Sequence, residues 1–187
     1  IVTTLKNYNF SQKLESFGTA LPRKTKSFRL KKSELLTPIK FNQEVKKGDI
    51  IANLKTGNIV APFDGVLGKR GISDDILVSE SSIILTLDDS SIIFLDLKIP
   101  EKFLSDLKKG LKIKATFSAY KDKIYEGKIE SVASRVDPQT RSILARAKIN
   151  NENSEIIVGS LLEIEILYNE KNALSVPDTS IMHEGSK

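Results

Sequence analysis

The sequence predicts a mainly β chain, and three observations carry that prediction. Two half-motifs face each other across a short connection: Glu44-Val45-Lys46-Lys47-Gly48-Asp49-Ile50-Ile51-Ala52 and Ile59-Val60-Ala61-Pro62-Phe63-Asp64-Gly65-Val66-Leu67. Each reads as strand, tight turn, strand, because a Gly-Asp or Asp-Gly dipeptide sits among β-branched and aliphatic residues. After Gly110 the apolar period switches to two. Ile113, Ala115, Phe117 and Ala119 share one face, as do Ile143, Ala145, Ala147 and Ile149, and then Leu162, Ile164, Ile166 and Tyr168. Finally, the longest apolar strings, such as Ser82-Ile83-Ile84-Leu85-Thr86-Leu87, are strand-sized and far short of a membrane span.

Taken in order, Ile1 to Leu5 reads as a strand and Lys6-Asn7-Tyr8-Asn9 as a polar break. From Phe17 to Leu30 the text is extended and interrupted by Pro22, which suits an edge strand or two strands joined by a turn. Asp74-Asp75 supplies a turn before strands at Ile76-Leu77-Val78 and Ile83-Ile84-Leu85, and another strand runs from Ile92 to Ile99, stopped by Pro100. One short helix is expected next. Pro100 and Glu101 suit its first turn, Phe103, Leu104 and Leu107 form an apolar patch, Lys108 and Lys109 favour its carboxyl end, and Gly110 closes it. A turn at Lys121-Asp122-Lys123 separates two strands of a small antiparallel barrel.

The chain has 187 residues, 40% of them hydrophobic and 28% charged, which describes a globular chain with a sizeable core. A net charge of +5 invites a nucleic-acid reading. The lysines alternate with apolar residues along strands, as solvated faces do, and the densest basic run, Arg23 to Lys32, holds a single aromatic and no stacking platform. An acidic protein face or an anionic bilayer suits it better, and a solvated strand best of the three. With no cysteine there is neither disulfide nor thiolate chemistry. His183 and Met182 are the only residues of their types, so neither a histidine cluster nor a multi-methionine metal relay can form within these residues. No histidine lies in the body of the chain to activate a serine, and no phosphate-binding glycine loop occurs. No catalytic residue, cofactor or metal is expected. Ile1 opens without signal-peptide features or a lipid-attachment cysteine, so any membrane anchor is expected outside these residues.

Two hairpins related by a rough repeat resemble the flattened barrel of lipoyl and biotinyl domains. The order Val-Lys-Lys-Gly-Asp, then Ala-Pro-Phe-Asp-Gly-Val, is similar to the lipoyl domain of periplasmic adaptors, the membrane fusion proteins of HlyD/AcrA-like kind found in tripartite efflux pumps. Tyr125-Glu126-Gly127-Lys128-Ile129, Val136-Asp137-Pro138-Gln139-Thr140-Arg141-Ser142 and Leu174-Ser175-Val176-Pro177-Asp178 resemble later signatures of the same family. The sequence departs from it at Val158-Gly159-Ser160 and at Asp75. Most members insert a long helical hairpin between the half-motifs. Here only Asn53-Leu54-Lys55-Thr56-Gly57-Asn58 stands there, enough for a turn and far too short for helices.

The resemblance implies a lipoyl-like unit at 31–87, a β-barrel at 12–30 and 88–168, and part of a membrane-proximal domain at 1–11 and 169–187. It also implies a non-enzymatic periplasmic protein, attached to the inner membrane, that forms a ring of about six copies. Its partners would be an inner-membrane RND transporter and an outer-membrane TolC-like channel, with no nucleic acid. The tip Leu54, Lys55, Thr56, Gly57 and Asn58 would dock the channel in place of the hairpin. Lys121, Asp122, Lys123, Asp137, Gln139, Thr140 and Arg141 would face the transporter, and Gly48, Asp49, Pro62, Asp64 and Gly65 read as structural turns. Two alternatives stand beside this: an adaptor for an ATP-driven exporter, and an acyl carrier modified at Lys55, whose Leu54 and Thr56 neighbours differ from the carrier pattern.

Overall fold

In the computed structural model, which describes residues 6–69 and 82–175, ten strands carry nearly all of the regular structure. They are β1 (Lys6–Lys31), β2 (Glu44–Val45), β3 (Ile50–Leu54), β4 (Gly57–Val60), β5 (Gly65–Lys69), β6 (Ser82–Pro100), β7 (Lys112–Phe117), β8 (Tyr120–Asp137), β9 (Ser142–Asn150) and β10 (Leu161–Ser175). The segments expected at 1–5, 74–78 and 176–187, with Met182 and His183, lie outside the described residues.

Six strands close a barrel in the order β1-β10-β7-β8-β9-β6, and β6 returns to β1. Closure leaves no open edge in that part of the sheet. Period-two alternation drives it. In β9 the inward Ile143, Ala145, Ala147 and Ile149 are buried, while Leu144, Arg146 and Lys148 point out. Ile93, Leu95, Leu97 and Ile99 of β6 and Leu162, Ile164 and Ile166 of β10 fill the same interior. Small side chains let facing walls approach. Gly127 is needed for the close pairing of β8 with its neighbour β9, because a Cβ there would lie 2.3 Å from the Lys148 carbonyl oxygen.

A second apolar cluster, Leu30, Val45, Ile51, Ala52, Ala61, Leu67, Leu85 and Leu87, is built by the two half-motifs with the far halves of β1 and β6. β1 and β6 therefore contribute to both cores. β1 pairs with β10 as far as Thr19 and then with β6 from Ala20 to Lys31. The register shifts between Pro22 and Lys24 on β1, where Asp89 to Ile93 bulge on β6.

Several expectations are corrected. The polar run Lys6 to Asn9 is strand, because each residue pairs with a β10 partner between Asn172 and Ser175. The break at Pro22 is a bulge within one continuous strand, neither an edge nor a turn; a proline lacking N–H fits where the ladder slips. Ile83-Leu85 and Ile92-Ile99 belong to one strand, β6. The helix shrinks to a 3-10 turn, Glu101–Phe103. Leu104 N–H bonds Glu101 O and Leu107 N–H bonds Phe103 O, and Gly110 at φ 91° ends the segment. One turn cannot offset the cost of helix nucleation, and only Phe103 and Leu107 pack on the barrel while Leu104 is exposed. Last, the β7–β8 connection is Ser118-Ala119, because Phe117 pairs with Tyr120. Ala119 leaves the sheet face, and Lys121, Asp122 and Lys123 lie within β8.

Candidate docking surfaces

At one end of the molecule β3 and β4 form a hairpin with Leu54 opposite Gly57, so Lys55 and Thr56 are its two turn residues. Gly57 sits at φ 134°, a conformation that a side chain would resist. Lys55, Thr56, Gly57 and Asn58 are exposed, while Leu54 packs against the second core. The tip is braced from the side. Lys55 N–H donates to Glu34 O at 2.9 Å and Leu36 N–H to Asn53 O at 2.9 Å.

The two half-motifs, expected as separate hairpins, instead pair with each other beneath the tip, β2 with β5 and β3 with β4, because the Gly48-Asp49 and Asp64-Gly65 turns lead each strand across to the other half. Gly48, at φ 94°, donates its N–H to Ala61 O at 2.8 Å, and Ala61 N–H returns to Asp49 O at 2.8 Å. The Asp49 carboxylate accepts from Lys46 N–H at 2.8 Å, and the Asp64 carboxylate accepts from Lys47 N–H at 2.7 Å across the pair. A Cβ on Gly65 would meet the Asp88 carbonyl oxygen at 2.5 Å. Pro62, exposed, sits in the bend between Ala61 and Asp64. These carboxylates are consumed by turn hydrogen bonds, and the arrangement makes a brace rather than an acid–base pair.

Between the two cores lies a waist. Asn151 is buried there at 4% exposure, donating from Nδ2 to Ser90 O at 3.0 Å and Ile156 O at 2.9 Å and accepting from Ile156 N–H at 2.9 Å. Asp89 accepts from Ser91 N–H and Oγ–H, at 3.1 and 2.6 Å. Asn151 carried no signal in the sequence; an Asn at a strand end reads as a turn residue.

At the far end of the barrel the Asp137 carboxylate accepts from Gln139 N–H at 2.9 Å and Thr140 N–H at 3.4 Å. Those bonds, the first above all, with the Thr140 hydroxyl and nearby Lys98, hold its carboxyl below the ordinary range. Thr140 and Ser142 hydroxyls share a 2.8 Å bond, and Arg141 at φ 50° gives its carbonyl to Glu101 N–H at 3.0 Å. The Arg141 guanidinium stands 3.8 Å from the Glu101 carboxylate, with most of its side chain in solvent.

The seven residues expected to face one partner divide into two places. Asp137, Gln139, Thr140 and Arg141 cap the far end, whereas Lys121, Asp122 and Lys123 begin β8 at the waist end, at most about 45–55 Å away along the strand at about 3.3 Å per residue. Lys123 is engaged within the chain, 2.5 Å from the Glu155 carboxylate, which also accepts from the Tyr125 hydroxyl at 3.0 Å. Lys123 first, then Tyr125, hold the Glu155 carboxyl below its usual range. Burial, reinforced by Glu155, pushes the Tyr125 hydroxyl up to about 12. Of Lys121 only the backbone, in β8, belongs to the described structure.

Among the described residues no three His, Cys, Asp or Glu side chains converge as a metal centre requires, and no helix is long and apolar enough to cross a membrane.

Residues 93–169 match the sequence model of the CusB-like β-barrel domain. The efflux pump periplasmic linker BepD of Brucella suis biovar 1 (strain 1330) is 24% identical over 147 residues, 70% of this chain and 37% of that protein. The chain thus spans little more than a third of that relative. A MacA-MexA chimeric protein containing the Pseudomonas aeruginosa MexA alpha-hairpin domain has the same fold, with TM-score 0.68 at 16% identity over 98% of this chain and 93% of that one. ZneB from Cupriavidus metallidurans gives 0.64 at 13% over 99% and 79%, and MacA from Actinobacillus actinomycetemcomitans 0.64 at 15% over 97% and 87%.

Proposed function

We propose that this chain, an RND-type adaptor by its CusB-like barrel, is a periplasmic linker of a tripartite efflux pump, set between an inner-membrane RND transporter and an outer-membrane channel. The observation that carries this reading is the barrel match over residues 93–169, supported by the efflux-linker relative and by an adaptor fold along the whole chain. The same support favours it over a carrier modified at Lys55. The protein moves no substrate by chemistry of its own; it holds two partners at a fixed spacing, as a ring of copies attached to the inner membrane. Residues 31–87 form its lipoyl-like unit, 12–30 and 88–168 its barrel, and 1–11 with 169–187 part of a membrane-proximal domain. Pairing of Lys6–Phe10 with Lys171–Ser175 beyond the barrel supports the last assignment.

Roles follow from the two ends. The braced tip at Lys55, Thr56, Gly57 and Asn58, seated by Leu54, docks the channel. The rigid turn at Asp137, Gln139, Thr140 and Arg141 faces the transporter. Lys121, Asp122 and Lys123 lie at the waist end and meet the transporter only if it reaches along the barrel wall. The test replaces Lys55, Thr56 and Asn58 together with glutamate, keeping Leu54 and Gly57. Dye accumulation in cells that depend on this chain should rise to the level of a null strain while circular dichroism stays unchanged. Undiminished efflux would sink the tip-docking role.

A further inference from the structure

The outer wall of the barrel where β1, β10, β7 and β8 run side by side is built unlike the rest of its surface. Register places Phe17, Glu163, Thr116 and Ile124 in one row across the four strands, and Glu15, Glu165, Lys114 and Glu126 in the next. Leu161, paired with Thr19, stands beside the first row. Phe17 is 60% exposed, Leu161 60% and Ile124 57%. Single exposed apolar side chains are ordinary; three adjoining on one wall are not. Phe17, Ile124, Thr116, Glu163 and Glu165 line a hollow of about 220 Å³, floored by the buried Ile164.

The charges around it are also unlike their neighbours. Three outward carboxylates on neighbouring strands are paired: Glu130 with Lys148 at 2.9 Å, Glu170 with Lys112 at 3.1 Å, Asp96 with Arg146 at 2.7 Å. Glu165 has Lys13 at 2.9 Å. Glu15, Glu126 and Glu163 enter no ion pair among the described residues, in a chain with 29 Lys and Arg against 24 Asp and Glu. Glu15, Glu163 and Glu165 line the hollow against Lys114 alone, with Glu126 beside Lys114 and Lys13 on Glu165; one row further on stand Lys112, held by Glu170, and Lys128. This is a negative rim around an apolar hollow on a molecule of net charge +5.

We propose that this wall is a docking site for a basic amphipathic segment of a partner protein. One aromatic or branched aliphatic side chain seats between Phe17 and Ile124, and flanking lysine or arginine side chains lie over Glu15, Glu126 and Glu163. Such an arrangement gives both the apolar anchor and the charge complementarity of a specific interface. It also selects its occupant by sign: an acidic or plain apolar segment leaves the carboxylates unpaired at the contact. The inference uses the barrel wall alone and stands whether or not the adaptor reading does.

The probe is acetyl-Lys-Leu-Lys-Phe-Lys-Leu-amide, titrated into the ¹⁵N-labelled 187-residue chain, with the peptide carrying Glu for Lys as comparison. The expected result is amide shifts centred on Phe17, Thr116, Ile124 and Glu163 for the lysine peptide alone, weakened by salt. Glu163→Lys, and separately Phe17→Ser with Ile124→Ser, should each weaken binding about tenfold or more with the circular dichroism spectrum retained, in line with hot-spot losses of roughly 1.4 kcal/mol or more. Should the double serine variant unfold, the solvent-facing Glu163→Lys decides alone. Equal binding of both peptides, shifts elsewhere on the barrel, or unchanged affinity in Glu163→Lys overturns the proposal. Concentration-dependent dimers without peptide, dispersed by Glu163→Lys, overturn it in favour of a second copy as the occupant.

Discussion

Asn151→Leu is the perturbation whose cost can be worked most directly, because this one side chain ties the 151–160 loop to the bulged strand at the waist. The substitution keeps the branching at Cγ, adds some bulk, and removes two donated bonds and one accepted bond, all between 2.9 and 3.0 Å and all at a site with 4% exposure. At about 1 kcal/mol per bond, with the Ile156 N–H and C=O left buried without their partner, the loss is about 3 kcal/mol. Against a typical total of about 5–15 kcal/mol that is large. For a chain of this size it corresponds to a fall of roughly 6–12 °C in melting temperature. The assay is urea unfolding followed by circular dichroism, with hydrogen exchange at the Ile156 amide as the local readout. Asn151→Asp sharpens the test, since it keeps the acceptor for Ile156 N–H but turns a carboxylate toward the Ser90 and Ile156 carbonyls. That variant should be least stable near neutral pH and recover on acidification as the carboxyl protonates and regains a donor. A loss below about 1 kcal/mol, or unchanged Ile156 exchange, would refute the claim that Asn151 secures the waist.

The other expectations concern packing, ionisation and the outer wall. Gly127→Ala places a Cβ 2.3 Å from a backbone oxygen that cannot swing away, and should cost about 1–3 kcal/mol or prevent folding. Gly18→Ala, which meets mainly the Leu97 side chain, should cost less in the same denaturation series. Tyr125 binds its proton more tightly folded than unfolded. Its stabilising contribution is therefore complete below pH 10 and lost as pH rises through about 12. Ultraviolet titration of Tyr125→Phe should lack that late ionisation. The lowered carboxyls of Asp137, Glu130, Glu155 and Glu170 have the opposite sign, stabilising above the ordinary carboxylate range and losing that contribution as pH falls below it through their lowered folded-state values. Acid melts should show less of this loss in Glu155→Gln. Arg146→Lys breaks a bidentate contact with Asp96, at 2.7 and 2.9 Å, and its stacking over Phe94; on a half-exposed wall the change should stay near 0.5 kcal/mol.

What the sequence made legible was what is local. Alternation in β9 and β10 named the inward residues, and the two glycine–aspartate dipeptides were legible as turns whose carboxylates are consumed by backbone donors, although each half-motif pairs with the other and neither forms a hairpin by itself. Longer-range features were not legible. The polar run Lys6 to Asn9 is strand only because β10 lies alongside, and Pro22 stays in a continuous strand only because β6 bulges opposite it. Pairing register decides such cases, and register is a property of two segments at once. For the same reason Lys121–Lys123 looked like a loop beside the 137–141 turn. The short connection at Ser118-Ala119 puts them at opposite ends of β8. The apolar wall of Phe17, Ile124 and Leu161 was hidden because its members come from three strands, and each alone is an unremarkable odd-phase residue.

The central claim, that this chain bridges an inner-membrane transporter and an outer-membrane channel, is tested most directly by cross-linking mass spectrometry on the protein in its native membrane fraction. The account predicts links from Lys55 and its neighbours to an outer-membrane channel, links from the 137–141 turn to a multi-pass transporter, and an unmodified Lys55. A lipoyl or biotinyl mass on Lys55, with soluble enzyme subunits as the cross-linked neighbours, would contradict it.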